Sequence, residues 1–196
     1  LHDTHANADL YLHVRVIVGI ILGLSIARLL NGVAGFVQHP KRQQIWWIHL
    51  GWVGWMLLSV IGFWWWEFRL ADVPRWTFEA YVFVLLYGSV FFLLCTLLFP
   101  TDLHEYQGFQ DYFMSRRAWF FGLLAASFVM DVVDTWLKGA HHFEALGLEY
   151  PIRIACSLAL CVAAIRIARP SFHAALVVGA LLYQVSFLAR FYGTLL

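Results

Sequence analysis

The sequence predicts an all-α integral membrane protein with about six transmembrane helices and almost no water-facing part. Hydrophobic residues make up 62% of the 196 and charged residues only 13%, where soluble domains have roughly 45–50% and about 25%. Mean hydropathy is +0.71. The apolar residues also come in blocks, several of them as long as the ~20 residues a spanning helix requires.

Taken in order, the first block runs from about Leu12 to Val37 and is broken by Gln38, His39, Pro40, Lys41 and Arg42. The second runs from Ile45 to Trp66, and the third from Phe78 to Phe99, closed by Pro100. The fourth covers Ala118 to about Leu137 and is followed by Gly139. The fifth, Ile152 to Ile167, is the shortest and lies between Pro151 and Pro170; the last runs from Phe172 to Phe191. Residues 1–196 therefore read as a single membrane domain. The segment from Thr101 to Arg117 is too polar to span. Leu103, Tyr106, Phe109 and Phe113 recur there at near-helical spacing behind Asp102 and Glu105. That predicts a short interfacial helix over about 102–114, with Arg116 and Arg117 meeting lipid headgroups.

Ten tryptophans need a reason. Trp46 and Trp47 open the second helix and Trp64, Trp65 and Trp66 close it, the placement of aromatic belts at the two interfaces. The alternative use is the wall of an aromatic-lined cavity. Cys95, Cys156 and Cys161 lie in apolar blocks and read as small buried hydrophobes, without disulfide or zinc-ligand spacing. A net charge of +1 with no basic run excludes nucleic acid as an expected partner. No signal-peptide pattern precedes the first block. Lys41, Arg42, Arg116, Arg117, Arg166 and Arg169 fall in loops one, three and five, against Arg69, Arg75 and Lys138 in loops two and four. The positive-inside rule then places both termini on the non-cytoplasmic side, with a bacterial inner membrane as the expected location.

A fainter signal suggests a 3+3 inverted repeat. Gly19, Arg28 and Asn31 align with Gly122, Asp131 and Asp134 at one offset. Thr77-Phe78-Glu79-Ala80 resembles Ser171-Phe172-His173-Ala174, and Leu85-Leu86-Tyr87 recurs as Leu181-Leu182-Tyr183. Transporters built on inverted repeats carry their site near the midplane. Helix one also presents Gly19, Gly23, Ala27, Asn31 and Gly35 at four-residue steps, a small-residue packing stripe suited to an internal contact or a subunit interface.

Ionisable groups inside a bilayer are expensive and mark the sites of interest. These are Arg28 and Asn31 in helix one, His49 in helix two, Asp131 and Asp134 in helix four, and Arg153 at the start of helix five. Arg15, Glu67, Lys138 and Arg190 lie near helix ends, where long side chains snorkel to water. Depth at about 1.5 Å per residue pairs Asp134 with Arg153 and Asn31 with His49. Either these groups are internal staples, or they line a hydrated path for an ion, proton or small solute.

The second alternative supports a small, oligomeric channel- or transporter-like protein. A non-catalytic subunit or scaffold of a larger membrane complex is the next reading, favoured by short loops and the stripe on helix one. A membrane redox protein is a third, with His49 and His173 as axial haem ligands; no other cofactor is expected. A membrane-embedded hydrolase or transferase comes last. Asp102, His104 and Glu105, or His141, His142 and Glu144, could be imagined as metal ligands, but no HExxH helix, GxSxG turn or phosphate-binding glycine loop is present, and no metal site is assigned.

Overall fold

Backbone N–H and C=O groups cannot be left bare in hydrocarbon, so a spanning chain satisfies them within helices. The computed structural model describes residues 2–39, 44–67, 70, 73, 76–138 and 146–191, with side chains from residue 10 to 190, and every regular element among them is a helix. These are α1 (His2–Gln38), α2 (Trp47–Trp66), α3 (Phe78–Leu98), α4 (Phe109–Leu137), α5 (Glu149–Arg166) and α6 (Pro170–Phe191). Leu10–Gln38 of α1, all of α2, α3 and α4, and Pro170–Arg190 of α6 are long and apolar enough to cross a membrane. α5 carries Glu149, Arg153 and Arg166 within its 18 residues and falls short of that standard.

The helices run up and down. α2 is the central one. Trp52, Met56, Val60 and Phe63 are buried along it, and its close approach to α6 is at Gly51, where a Cβ would come within 2.8 Å of Val177. α1 packs chiefly on α3, α4 on α5 and on α3, and α6 on α2. In α1 the buried face is Val14, Val18, Leu22, Ser25 and Leu29. Its tightest contact is at Gly32, whose bare Cα lets the Phe99 ring lie where a Cβ would stand. α3 is started by Thr77, whose hydroxyl accepts from the Ala80 N–H at 3.3 Å, and it stops before Pro100, which has no N–H to continue the ladder. Pro170 opens α6 at the position where its missing N–H costs nothing.

Several expectations change. No separate helix covers 102–114. Residues 101–108 form turns, Asp102 accepting from the backbone N–H of His104 at 2.9 Å, and Gly108 at φ 137° then starts α4 at Phe109 rather than Ala118. Phe109 and Phe113 owe their spacing to the first turns of α4, which continue the buried face to Phe120 and Phe121. Arg116 donates to the Tyr106 hydroxyl at 2.7 and 3.0 Å, and Arg117 to the Met114 carbonyl. The two halves of the suggested repeat pack differently among the described residues. α1 lies along α3, whereas α4 lies along α5 and not along α6. Trp47, Trp64, Trp65, Trp119 and Trp136 are exposed, as belts require, but Trp52 and Trp55 are core residues. Lys41, Arg42, Arg69, Arg75, His141, His142 and Glu144 lie outside the described residues.

Candidate functional site

The intramembrane polar residues gather in two clusters, one toward each end of the bundle. The first surrounds the C-terminus of α3. A helix leaves its last carbonyls without intrahelical donors, and in a bilayer each must find one. Here Tyr112 Oη donates to the Leu97 carbonyl at 2.8 Å, His49 Nε2 to that of Leu98 at 2.6 Å, and Arg28 Nη2 to that of Phe99. A carbonyl can only accept, so His49 carries its proton on Nε2. The imidazole is fully buried, with Phe36, Phe99, Phe109 and Phe113 around it. His173 does the same work at the end of α5, bonding the Ile167 carbonyl through Nε2 at 2.8 Å between Phe113, Phe121 and Phe172. The two histidines weighed as haem ligands are thus helix caps in aromatic surroundings. Asn31 does not reach His49; it lies exposed on the outer face of α1 with Gly23 and Ala27, while Gly19 and Gly35 are half-buried.

The second cluster lies toward the opposite end, about 27 Å away along α2 at 1.5 Å per residue. Lys138 Nζ sits 2.6 Å from Asp134 Oδ2 and 3.2 Å from Glu67 Oε1, and all three side chains are at most 7% exposed. Arg153 Nη2 pairs with Asp131 Oδ2 at 3.1 Å and its guanidinium lies against the rings of Tyr150 and Phe187. Tyr87 Oη approaches Asp131 Oδ1 at 3.5 Å, and the Thr135 and Tyr150 hydroxyls share a hydrogen bond of 3.0 Å. These groups border one cavity of about 120 Å³, completed by Ser59, Ser127 and Gln184. Outside the residues that line it, Arg190 grips Glu149 with two hydrogen bonds of 2.7 and 2.8 Å, and Tyr183 adds a third at 3.0 Å. Arg190's hydrogen bonds hold the Glu149 carboxyl below the usual carboxylate range.

The expected Asp134–Arg153 pair is therefore replaced by Asp131–Arg153. Residues 131 and 134 are three apart on α4, so they face in directions about 60° from one another. Asp131 turns toward α5 and Asp134 toward the end of α2, where Glu67 waits. α5 also starts at Glu149, earlier than the apolar block suggests, which carries Arg153 deeper and level with Asp131. Glu67 and Lys138, read from sequence as snorkelling ends, are central members of the site, and Tyr87 and Tyr150 join them. The i,i+4 spacing of Asp134 and Lys138 was the one signal for that pairing.

Three carboxyls (Glu67, Asp131, Asp134) face two cations (Lys138, Arg153) across this cavity. Glu67 Oε2 and Asp134 Oδ1 are buried with no hydrogen-bond partner among the described residues. Among the groups lining this cavity the carboxyls exceed the cations by one, with Arg15 beside Glu67 on another side, and two carboxylate oxygens lack a donor among the described residues. A proton supplies one O–H donor to such a pair of oxygens, and a small cation supplies a positive charge that both can face. Between the two clusters stand Trp52, Met56, Phe113, Phe120 and Phe121, all buried, so that a largely aromatic layer separates them among the described residues. No family model matches the chain, and neither does any curated protein or solved structure.

Proposed function

We propose that this chain is a small transporter-like membrane protein, and that its working site is the cavity bounded by Glu67, Asp131, Asp134, Lys138 and Arg153. The observation that carries the reading is a cavity lined by three carboxyls in which one oxygen each of Glu67 and Asp134 is buried without a donor among the described residues. Ionised groups buried within a membrane-spanning bundle are expensive, and a purely structural staple needs no third carboxyl. A site that takes up and releases one proton or small cation does. The aromatic plug beneath it favours alternating exposure of the site over an open pore. In this reading α5 crosses with the other five helices, Arg153 shielded by Asp131. Both termini then lie on one side, the non-cytoplasmic side of a bacterial inner membrane by the count of loop cations.

The test is flux from purified protein in liposomes, wild type beside Asp134→Asn and Arg28→Gln, with thermal stability measured in parallel. Asp134→Asn removes one of the three carboxyls and leaves Lys138 balanced by Glu67, so it should keep or raise stability while abolishing proton or cation flux. Arg28→Gln, at the α3 cap, should lower stability and leave the flux of the folded fraction unchanged. A wild type that passes no proton or cation removes the reading.

A second reading, a subunit within a membrane complex or a homo-oligomer, is supported by Asn31. Its amide is exposed on a face of α1 that otherwise meets lipid, and there it gains from a partner across a small-residue interface.

A further inference from the structure

α5 and α6 follow one another in the chain but barely touch, because α5 is drawn to α4 and α6 to α2. The gap between them is an apolar cleft of about 530 Å³, within the ~300–1,000 Å³ range of ligand pockets. Its inner wall is Trp52, Trp55, Phe121, Leu124 and Phe128. Cys156, Leu160, Gly179 and Tyr183 at its mouth are exposed, so it opens sideways, toward lipid. Its deep end is not apolar. Arg153, Gln184, Trp55 and Phe128 line both this cleft and the polar cavity, so the two spaces meet there.

Polar atoms at that junction and on the cleft's inner wall lack partners, Arg153 at the first and Trp52 on the second. The Arg153 Nε–H and the Trp52 indole N–H are buried with no acceptor among the described residues, and Trp52 is only 2% exposed. Beyond them lie the free Glu67 and Asp134 carboxylate oxygens. A ligand that satisfies this set has a long apolar tail, an oxygen acceptor such as an ester carbonyl near the junction, and hydroxyls that reach the carboxylates. Its head carries no negative charge. Arg153 is already neutralised by Asp131, and carboxylates outnumber cations in the cavity the head would enter, so a phosphate would be repelled.

We infer that the α5–α6 cleft binds a single-chain lipid with an uncharged, hydroxylated head of the monoacylglycerol type, tail in the cleft and head at Arg153 and Gln184. The inference goes beyond the transport reading but shares Arg153 with its site, and the head's hydroxyls face the Glu67 and Asp134 carboxylates of that site.

Photolabelling of the intact protein in lipid nanodiscs tests it. The probe is a myristoyl monoacylglycerol with a diazirine at the tail end, compared with the same tail on a lysophosphatidic acid head. The neutral probe should label α5 and α6 at the cleft, and the phosphate probe about tenfold less. Gly179 is at the cleft's mouth with open space where its Cβ would be, so Gly179→Phe adds bulk at the entrance without a clash at its Cβ. It should cut labelling by about tenfold. Gln184→Leu, which leaves every ion pair in place, should cut it several-fold. Labelling spread over all lipid-facing helices, equal for the two heads, or untouched by Gly179→Phe overturns the inference. Absent labelling beside intact Asp134-dependent flux overturns this site and leaves the transport reading standing. Head-selective labelling in a protein without flux does the opposite.

Discussion

At the scale of single residues, the chemistry turns on which polar atoms have partners. Removing Lys138 as Lys138→Met leaves Glu67 and Asp134 facing each other in a buried site, and should destabilise the protein by about 3–5 kcal/mol. A Glu67→Gln/Lys138→Met double variant should recover much of that, read as Tm in detergent. His49 makes a different contribution, and one specific to its shape. His49→Phe keeps the ring against Phe109 but takes the donor from the Leu98 carbonyl, a loss of about 1–3 kcal/mol for an orphaned buried acceptor. Outside the cavity, the Glu149 carboxyl is held below its ordinary value, so the Arg190 bond stabilises above the unfolded pKa of about 4.3 and is lost as pH falls through the lowered folded value. The Tm difference between wild type and Glu149→Gln should accordingly shrink on acidification to below that range.

At the scale of elements, the closest approaches are made by Gly32 and Gly51, neither of them in the four-residue stripe of α1. Gly32→Ala puts a methyl into the Phe99 ring and disturbs the residue whose carbonyl Arg28 caps. It should cost about 1–3 kcal/mol of stability. Gly23→Ala, with nothing near its Cβ, should leave Tm unchanged, and scanning calorimetry of the two variants side by side checks the contrast. Helix periodicity alone did not separate these glycines. Gly23 and Gly32 lie on one helix rich in small residues, and only the position of Phe99 singles out Gly32. The same holds for α4. Its start is hidden from hydropathy because the polar residues from Gln110 to Arg117 interrupt the apolar signal without breaking the helix.

At the scale of the whole molecule, the bundle holds its polar groups at two ends with an aromatic layer between, and the ends differ in kind. One end closes helix termini through Tyr112, His49, Arg28 and His173, although the Nδ1 of both histidines is buried without a partner among the described residues. The other keeps a cavity, a third carboxyl and a side entrance from lipid. If Asn31 mediates association, Asn31→Leu should weaken the homo-oligomer seen by cross-linking in membranes, by about 1 kcal/mol for one lost interhelical hydrogen bond. Asp134→Asn should leave association untouched while removing flux, since it lies on the far side of the bundle interior from α1's outer face.

Sequence alone determined that this is a helical membrane protein, where most of its helices lie, and which residues are costly enough to need explaining. Those are local properties: hydropathy over about 20 residues, a proline at a helix end, a charge within an apolar run. Arg28, His49, Asp131, Asp134 and Arg153 were all legible in that way. Their partners were decided only by the tertiary structure. A partner depends on depth and on rotation about the helix axis together, and an error of three residues in where α5 begins, or of 60° in which face of α4 is meant, exchanges Asp134 for Asp131. Glu67 and Lys138 stayed hidden for the related reason that a charge at a helix end reads as solvated. Only the packing of α2 against α4 shows that both ends are buried, and it is that burial which turns two ordinary helix-end charges into the core of a site.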